Sequence, residues 1–171
     1  LNKDIIKGLI GFGVTVHQGY GLTETSPVLT VETDNMKKPG SIGVCLPEVD
    51  IKIDNPNEQG LGEIVAKGPN VMIGYYNNEG ATKEVLKDGW LYTGDLGYVD
   101  EDGFLFISGR KKNVIVLKNG KNIFPEELEV LLNASPYVAE SFVYSEEDKD
   151  GDLKLCARIV YNKEVIENEH S

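Results

Sequence analysis

The chain has 171 residues, 40% of them hydrophobic and 26% charged, a mixture that excludes a disordered chain and allows one ordinary core or two small ones. Its formal net charge of -11 argues against a nucleic-acid partner, and no apolar run approaches the roughly 20 residues needed to span a bilayer as a helix. Cys45 and Cys156 give no disulfide framework and fit a reducing cytosol, so a cytoplasmic protein with buried, inert thiols is expected.

In chain order, residues 4–12 place Ile5, Ile6, Leu9 and Ile10 on one helical face, and Gly11 and Gly13 stop the helix. Val14, Thr15 and Val16 read as a short strand. The next stretch, HQGYGLTETSP at 17–27, is too polar for a strand and too rich in glycine for a helix, so it is expected to be a loop. It offers a ring at Tyr20, a hydroxyl at Thr23 and a carboxylate at Glu24, types that suit a base, a phosphate and a magnesium ion. On residue types alone, a polar loop with a packed tyrosine is the plainer reading.

Residues 41–67 change to short alternating strands: Ile42, Val44 and Leu46, then Val49, Ile51 and Ile53, a turn at 55–57, and a return over 63–66. These favour an antiparallel sheet or small barrel. The Met and Tyr residues of NVMIGYYNN, 70–78, read as packing, and Asn78 caps a helix expected over 79–86. Asp88 and Gly89 then turn the chain into WLYTGDLGYVDEDGFLFISGRKK, 90–112, which sets Asp95 beside a glycine and reverses at 100–103. A hairpin can return Arg110 to the rim that carries Asp95. Together they suit a ribose, since a carboxylate accepts from vicinal hydroxyls and a guanidinium donates in a fixed fork. Read singly, Asp95 is a turn-former and Arg110 a surface charge. Between Gly103 and Pro125 there is no acid but five basic residues, the place where an anionic ligand would rest its phosphates.

Beyond Lys112, residues 114–117 read as a strand, Asn119 and Gly120 as a hairpin turn, and PEELEVLLN from Pro125 as a helix with acids in its first turn. Two strands, 138–144 and 153–161, flank an acidic loop whose spacing lacks a calcium pattern, and a helix begins after 161. The expected fold class is α+β. It comprises an antiparallel, barrel-like β-rich part and, past a boundary at about residue 112, a smaller part of strands and helices.

Four segments in order, YGLTETSP at 20–27, GEIVAKGPNVMIGYYN at 62–77, the stretch at 90–112 and NGKNIFPEELE at 119–129, resemble the adenylate-forming (AMP-binding) enzymes. Within these the chain is similar to bacterial long-chain fatty acid:CoA ligases. The resemblance implies activation of a carboxylate with Mg-ATP to an acyl-adenylate and pyrophosphate, then transfer to coenzyme A. It implies that Tyr20 and Gly21 meet adenine, Thr23 the α-phosphate, Glu24 magnesium, and Asp95 and Arg110 the ribose. It also implies the end of a large domain core (1–19), a β-barrel-like subdomain carrying the nucleotide motifs (20–111) and an incomplete α/β two-layer C-terminal lid domain (112–171), with Lys112 matching the family's hinge and Gly120 the turn lining the pantetheine path. The family's phosphate loop and catalytic lysine are absent from the 171 residues, which implies a central-to-C-terminal fragment with little or no ligase activity alone. The partners implied are ATP, a fatty acid, CoA and the rest of the same chain. An aryl-acid:CoA ligase and a domain loading a carrier protein are alternatives within the family, and a non-catalytic β-rich interaction module is one outside it.

Overall fold

The computed structural model describes residues 3–118, 120–149 and 152–169. The elements in order are α1 (Lys3–Gly11), β1 (Gly19–Tyr20), β2 (Thr30–Val31), β3 (Val44–Cys45), β4 (Asp50–Asp54), β5 (Gly62–Lys67), α2 (Glu79–Val85), β6 (Leu86–Lys87), β7 (Trp90–Val99) and β8 (Leu105–Arg110). They continue with β9 (Ile115–Val116), β10 (Asn122–Ile123), α3 (Pro125–Asn133), β11 (Val138–Glu147), β12 (Leu153–Tyr161) and α4 (Lys163–Glu169). The chain divides into two compact units, Leu1–Ile107 and Ser108–Ser171. Among the described residues no helix is long and apolar enough to cross a membrane.

The first unit is built on a sheet in the order β4-β5-β7-β6, with β8 also on β7. β7 is the longest strand here, and its alternation is visible in burial: Leu91, Thr93, Asp95 and Gly97 point inward. On the other face the Nζ atoms of Lys52 and Lys87 lie over the rings of Trp90 and Tyr92, 4.1 and 4.7 Å from the ring centres. Asp88 and Gly89, both at positive φ, make the two-residue turn between β6 and β7. Leu86 therefore pairs with Leu91 as a strand residue and does not extend α2. A second sheet, β1-β2-β3, is tied to β8 where Ile42 N–H donates to Leu105 O at 2.9 Å and Leu105 N–H donates to Gly43 O at 3.0 Å. Leu29, Val49 and Ala66 form a buried cluster against which Tyr20, Leu46 and Ile51 pack.

Three local expectations fail. Residues 14–16 form no strand, because β-branched residues alone do not make one without a partner ladder. Gly19 and Tyr20, expected in a loop, do pair with Val31 and Thr30; a Cβ on Gly19 would stand 3.0 Å from Thr30 O, so the bare glycine admits the partner strand. The alternating run at 42–46 shrinks to β3 because Gly43 sits at φ +87 and breaks the extended chain. In consequence Cys45 is exposed, and Cys156 on β12 is only partly covered, so the buried-thiol reading does not hold.

In the second unit α3 packs on β11, which pairs antiparallel with β12 to make a helix-on-sheet layer. Pro125 at the first turn and Glu126 and Glu127 beside it account for where α3 begins. Glu129 Oε1 accepts from Val143 N–H at 2.8 Å, joining helix to strand through a side chain. β9 and β10 pair across the expected hairpin, whose Asn119 lies outside the described residues; Gly120 stands at φ +77.

One ionic clasp fixes the β7–β8 turn. Lys38 Nζ donates to Asp100 Oδ2 at 2.5 Å and to Asp102 Oδ2 at 2.8 Å, while Asp100 Oδ1 accepts from Asp102 N–H and Phe104 N–H. The hydrogen bond from Lys38 holds Asp100 below the usual carboxylate value of 3.8, and the bond to Asp100 raises Lys38 above the usual lysine range. A depressed carboxylate stabilises the fold above its unfolded value, and that contribution is lost as pH falls through the folded one. Replacing Lys38 by Met is expected to lower the thermal midpoint at pH 7, with the deficit closing as pH drops below about 3.8. A deficit independent of pH would remove the clasp from the stability of this turn.

Candidate functional site

The site begins with a fault in the β5–β7 ladder. Glu63 pairs with Leu96 and Val65 with Tyr92, so Thr93, Gly94 and Asp95 together face Ile64 alone. Such a bulge bends a strand and re-aims its side chains. Gly94 accommodates it at φ +73, a conformation that costs other residues. The unpaired backbone groups are met locally: Thr93 Oγ1 donates to Ile64 O at 2.7 Å, Gly94 N–H donates to Glu63 Oε1 at 3.1 Å, and Asp95 N–H donates to Thr93 Oγ1 at 3.1 Å. Thr93, Glu63 and Asp95 are all buried, Asp95 to 5% exposure.

The bulge turns Asp95 toward the glycine-rich segment. Tyr20 Oη donates to Asp95 Oδ2 at 2.6 Å, joining residues 75 apart in sequence. One flank of the tyrosine rests on the Leu29, Val49 and Ala66 cluster. Gly21 is required by close approach, because a Cβ there would collide with the Pro27 backbone carbonyl. Thr23, Glu24 and Thr25 form a single 3-10 turn closed by Thr25, whose hydroxyl donates to Leu22 O and accepts from Leu22 N–H, each at 2.9 Å. Asn70 Nδ2 spans the mouth of the same loop, donating to Thr25 O at 3.1 Å and Val28 O at 2.6 Å. Thr23 is left exposed at the surface of the turn.

Glu24 is held at both ends. Its carbonyl accepts from Met72 N–H at 2.8 Å, and its Oε1 accepts from Tyr75 Oη at 2.8 Å. That carboxylate raises the Tyr75 phenol above its ordinary value. Among the described residues no group of three or more His, Cys, Asp or Glu is arranged to hold a metal ion. Magnesium, which takes one or two carboxylates and completes its shell with phosphate and water, is compatible with Glu24 as the lone protein ligand here. Tyr20, Gly21, Thr23, Glu24 and Asp95 thus all lie in the first unit, with Tyr20 and Asp95 in direct contact. Arg110, Lys112 and Gly120 belong to the second. Lys112 sits in a 3-10 turn, Lys111–Asn113, whose flanking residues Arg110 and Val114 are both extended.

Sequence reasoning passed over Thr93, Thr25, Asn70 and Tyr75. Thr93 could have been found, since it shares the parity of Leu91 and directly precedes the glycine of the bulge. Asn70 and Tyr75 act across 42 to 51 residues of chain and leave no periodic trace.

Residues 2–76 match the AMP-binding enzyme family. Beyond that segment the chain as a whole is similar to CoA ligases. It is 40% identical over 173 residues to a 2-succinylbenzoate–CoA ligase of Bacillus thuringiensis subsp. konkukian (98% of this chain, 36% of that protein) and 49% identical over 148 residues to probable 4-coumarate–CoA ligase 1 of Dictyostelium discoideum (82% and 27%). Among solved structures it is similar to o-succinylbenzoate CoA synthetase of Bacillus subtilis in complex with its acyl-adenylate intermediate, with TM-score 0.86 and 38% identity over 99% of this chain and 36% of that one. The same enzyme bound to ATP and magnesium gives TM-score 0.84 and 36% identity over 98% and 37%. The chain therefore spans between 27% and 37% of the length of these relatives.

The bulge is testable by itself. Gly94→Ala is expected to destabilise the protein by about 1–2 kcal/mol, the cost of a left-handed backbone at a residue with a Cβ. Thr93→Val should cost about 1–3 kcal/mol through the hydrogen bonds lost to Ile64 and Asp95. Urea unfolding measures both, and wild-type stability in either variant would show that the bulge bears no load.

Proposed function

We propose that this chain is the nucleotide-gripping part of an AMP-forming acyl-CoA ligase whose acid is aromatic. The observation that carries the reading is the Tyr20–Asp95 pair, in which a buried carboxylate and a phenol are presented together by a bulge and a glycine-rich loop. The relatives support an aryl-acid substrate in place of the long-chain fatty acid that the motifs alone suggested, since those named act on 2-succinylbenzoate and, by its description, 4-coumarate.

In this reading the first step joins a carboxylate oxygen of the acid to the α-phosphorus of ATP and releases pyrophosphate. The coenzyme A thiol then attacks the acyl carbonyl, loses its proton and displaces AMP. No protein nucleophile is needed, so the residues act by position and charge. Asp95 accepts hydrogen bonds from the ribose hydroxyls, with Arg110 as the proposed donor beside them, while the Tyr20 ring lies against adenine over Gly21. Thr23 donates to the α-phosphate. Magnesium, which Glu24 would hold, supplies neutralisation of the phosphate charge. Lys112 is the proposed pivot of the C-terminal unit between the two half-reactions, a role that its short 3-10 turn between extended residues supports. Gly120, at positive φ, is the proposed turn on the thiol's path. The phosphate loop and catalytic lysine would come from other parts of the full-length protein.

A panel of acids offered to the full-length protein with ATP and CoA tests the substrate class. Aryl acids such as 2-succinylbenzoate are expected to give AMP and an acyl-CoA at rates at least tenfold above palmitate. A preference for palmitate would return the long-chain reading. In the same protein Asp95→Ala should slow pyrophosphate exchange at subsaturating ATP by roughly 10- to 100-fold, the worth of a charged hydrogen-bond acceptor. An unchanged exchange rate would take Asp95 out of the nucleotide site.

A further inference from the structure

Glu24 is supported by a segment to which no role has been assigned. Met72 N–H binds its carbonyl and Tyr75 Oη binds its carboxylate, so residues 72–75 hold the backbone and the side chain of one residue. Tyr75 is itself anchored. Its N–H donates to Thr82 Oγ1 at 2.9 Å, that hydroxyl donates to Asn78 O at 2.8 Å, and Asn78 Oδ1 caps α2 by accepting from Ala81 N–H at 3.1 Å. Gly74 makes the close approach possible: it lies at φ +151, and a Cβ there would stand 2.9 Å from Thr82 Cγ2. The tyrosine is 37% exposed, so core packing does not explain a phenol held in this way. With Oε1 committed to the phenol, Oε2 is the oxygen left for a cation. A carboxylate so engaged suits a one-oxygen ligand in the tight octahedral shell of magnesium and disfavours the two-oxygen mode that calcium accepts.

We propose that Tyr75 is a positioning residue for Glu24, anchored on α2 through Thr82, which restricts that carboxylate to one-oxygen coordination and so favours magnesium over calcium. This rests on Glu24 as the magnesium carboxylate, and the experiment separates the two ideas. Calorimetry of the full-length protein with a non-hydrolysable ATP analogue is run in magnesium, in calcium and in EDTA, for wild type, Tyr75→Phe and Glu24→Gln. Tyr75→Phe is expected to weaken binding about tenfold in magnesium, the value of one charge-assisted hydrogen bond, and to leave the calcium and EDTA affinities within about twofold. Glu24→Gln should weaken binding in both metals and leave the EDTA value unchanged. If Glu24→Gln acts so but Tyr75→Phe leaves the magnesium-to-calcium ratio unaltered, the positioning role is overturned. A loss in Tyr75→Phe that is equal in magnesium, calcium and EDTA also overturns it, because that is general loop support. If Glu24→Gln alters none of the three, the magnesium reading of Glu24 fails and takes the inference with it.

Discussion

The geometry of the first unit depends on one irregularity, three residues of β7 facing a single residue of β5. Asp95 keeps the inward parity of Leu91 and Thr93 but has no partner in the β5 ladder. The extra residues free a segment whose polar groups are satisfied by Thr93 and Glu63, and the carboxylate it carries is buried with a phenol 2.6 Å away. Burying a carboxylate without a donor costs several kcal/mol, so the Tyr20 hydroxyl is as much a condition for Asp95 being there as a consequence of it. Strand irregularity, buried charge and glycine-rich loop are therefore one feature seen from three sides.

The same economy governs the loop from Tyr20 to Pro27. It has little regular structure, yet it is fastened at Gly21 by contact, at Thr25 by a two-way hydroxyl, and at its mouth by Asn70. Loops that carry chemistry need such fastening, because a side chain on a mobile segment loses orientation to entropy. Glu24 is the member fastened most heavily, through both its carbonyl and its carboxylate. α2 contributes to this although none of its residues is buried. Its part is to hold Asn78 and Thr82 where Tyr75 can use them.

Much of this was legible beforehand, for physical reasons. Alternation over 49–53 gave β4, the return after the turn at 55–57 gave β5, an Asp-Gly pair gave the turn before β7, and Pro125 with two acids gave the start of α3. Asp95 stood out because a hairpin could return Arg110 to its rim, although read singly it was only a turn-former. What stayed hidden was pairing at a distance. Tyr20 offers the same ring whether its hydroxyl meets water or Asp95, and only folding brings the two together. Tyr75 read as packing because its partner lies 51 residues earlier. Residues 14–16 failed in the opposite sense, having strand-forming side chains without a ladder to join, while the glycine of β1 was misjudged because absence of a side chain was the asset there.

The proposed grip on a sugar by Asp95 can be weighed without turnover. Calorimetry on the full-length protein would compare AMP with 2′,3′-dideoxy-AMP, which keeps base and phosphate and lacks only the hydroxyls. A buried carboxylate that accepts from those hydroxyls predicts a loss of at least tenfold for the dideoxy nucleotide in wild type, shrinking to within about twofold in Asp95→Asn. Equal affinity of wild type for the two nucleotides would contradict it, leaving the Tyr20–Asp95 pair as a fastening of the fold and nothing more.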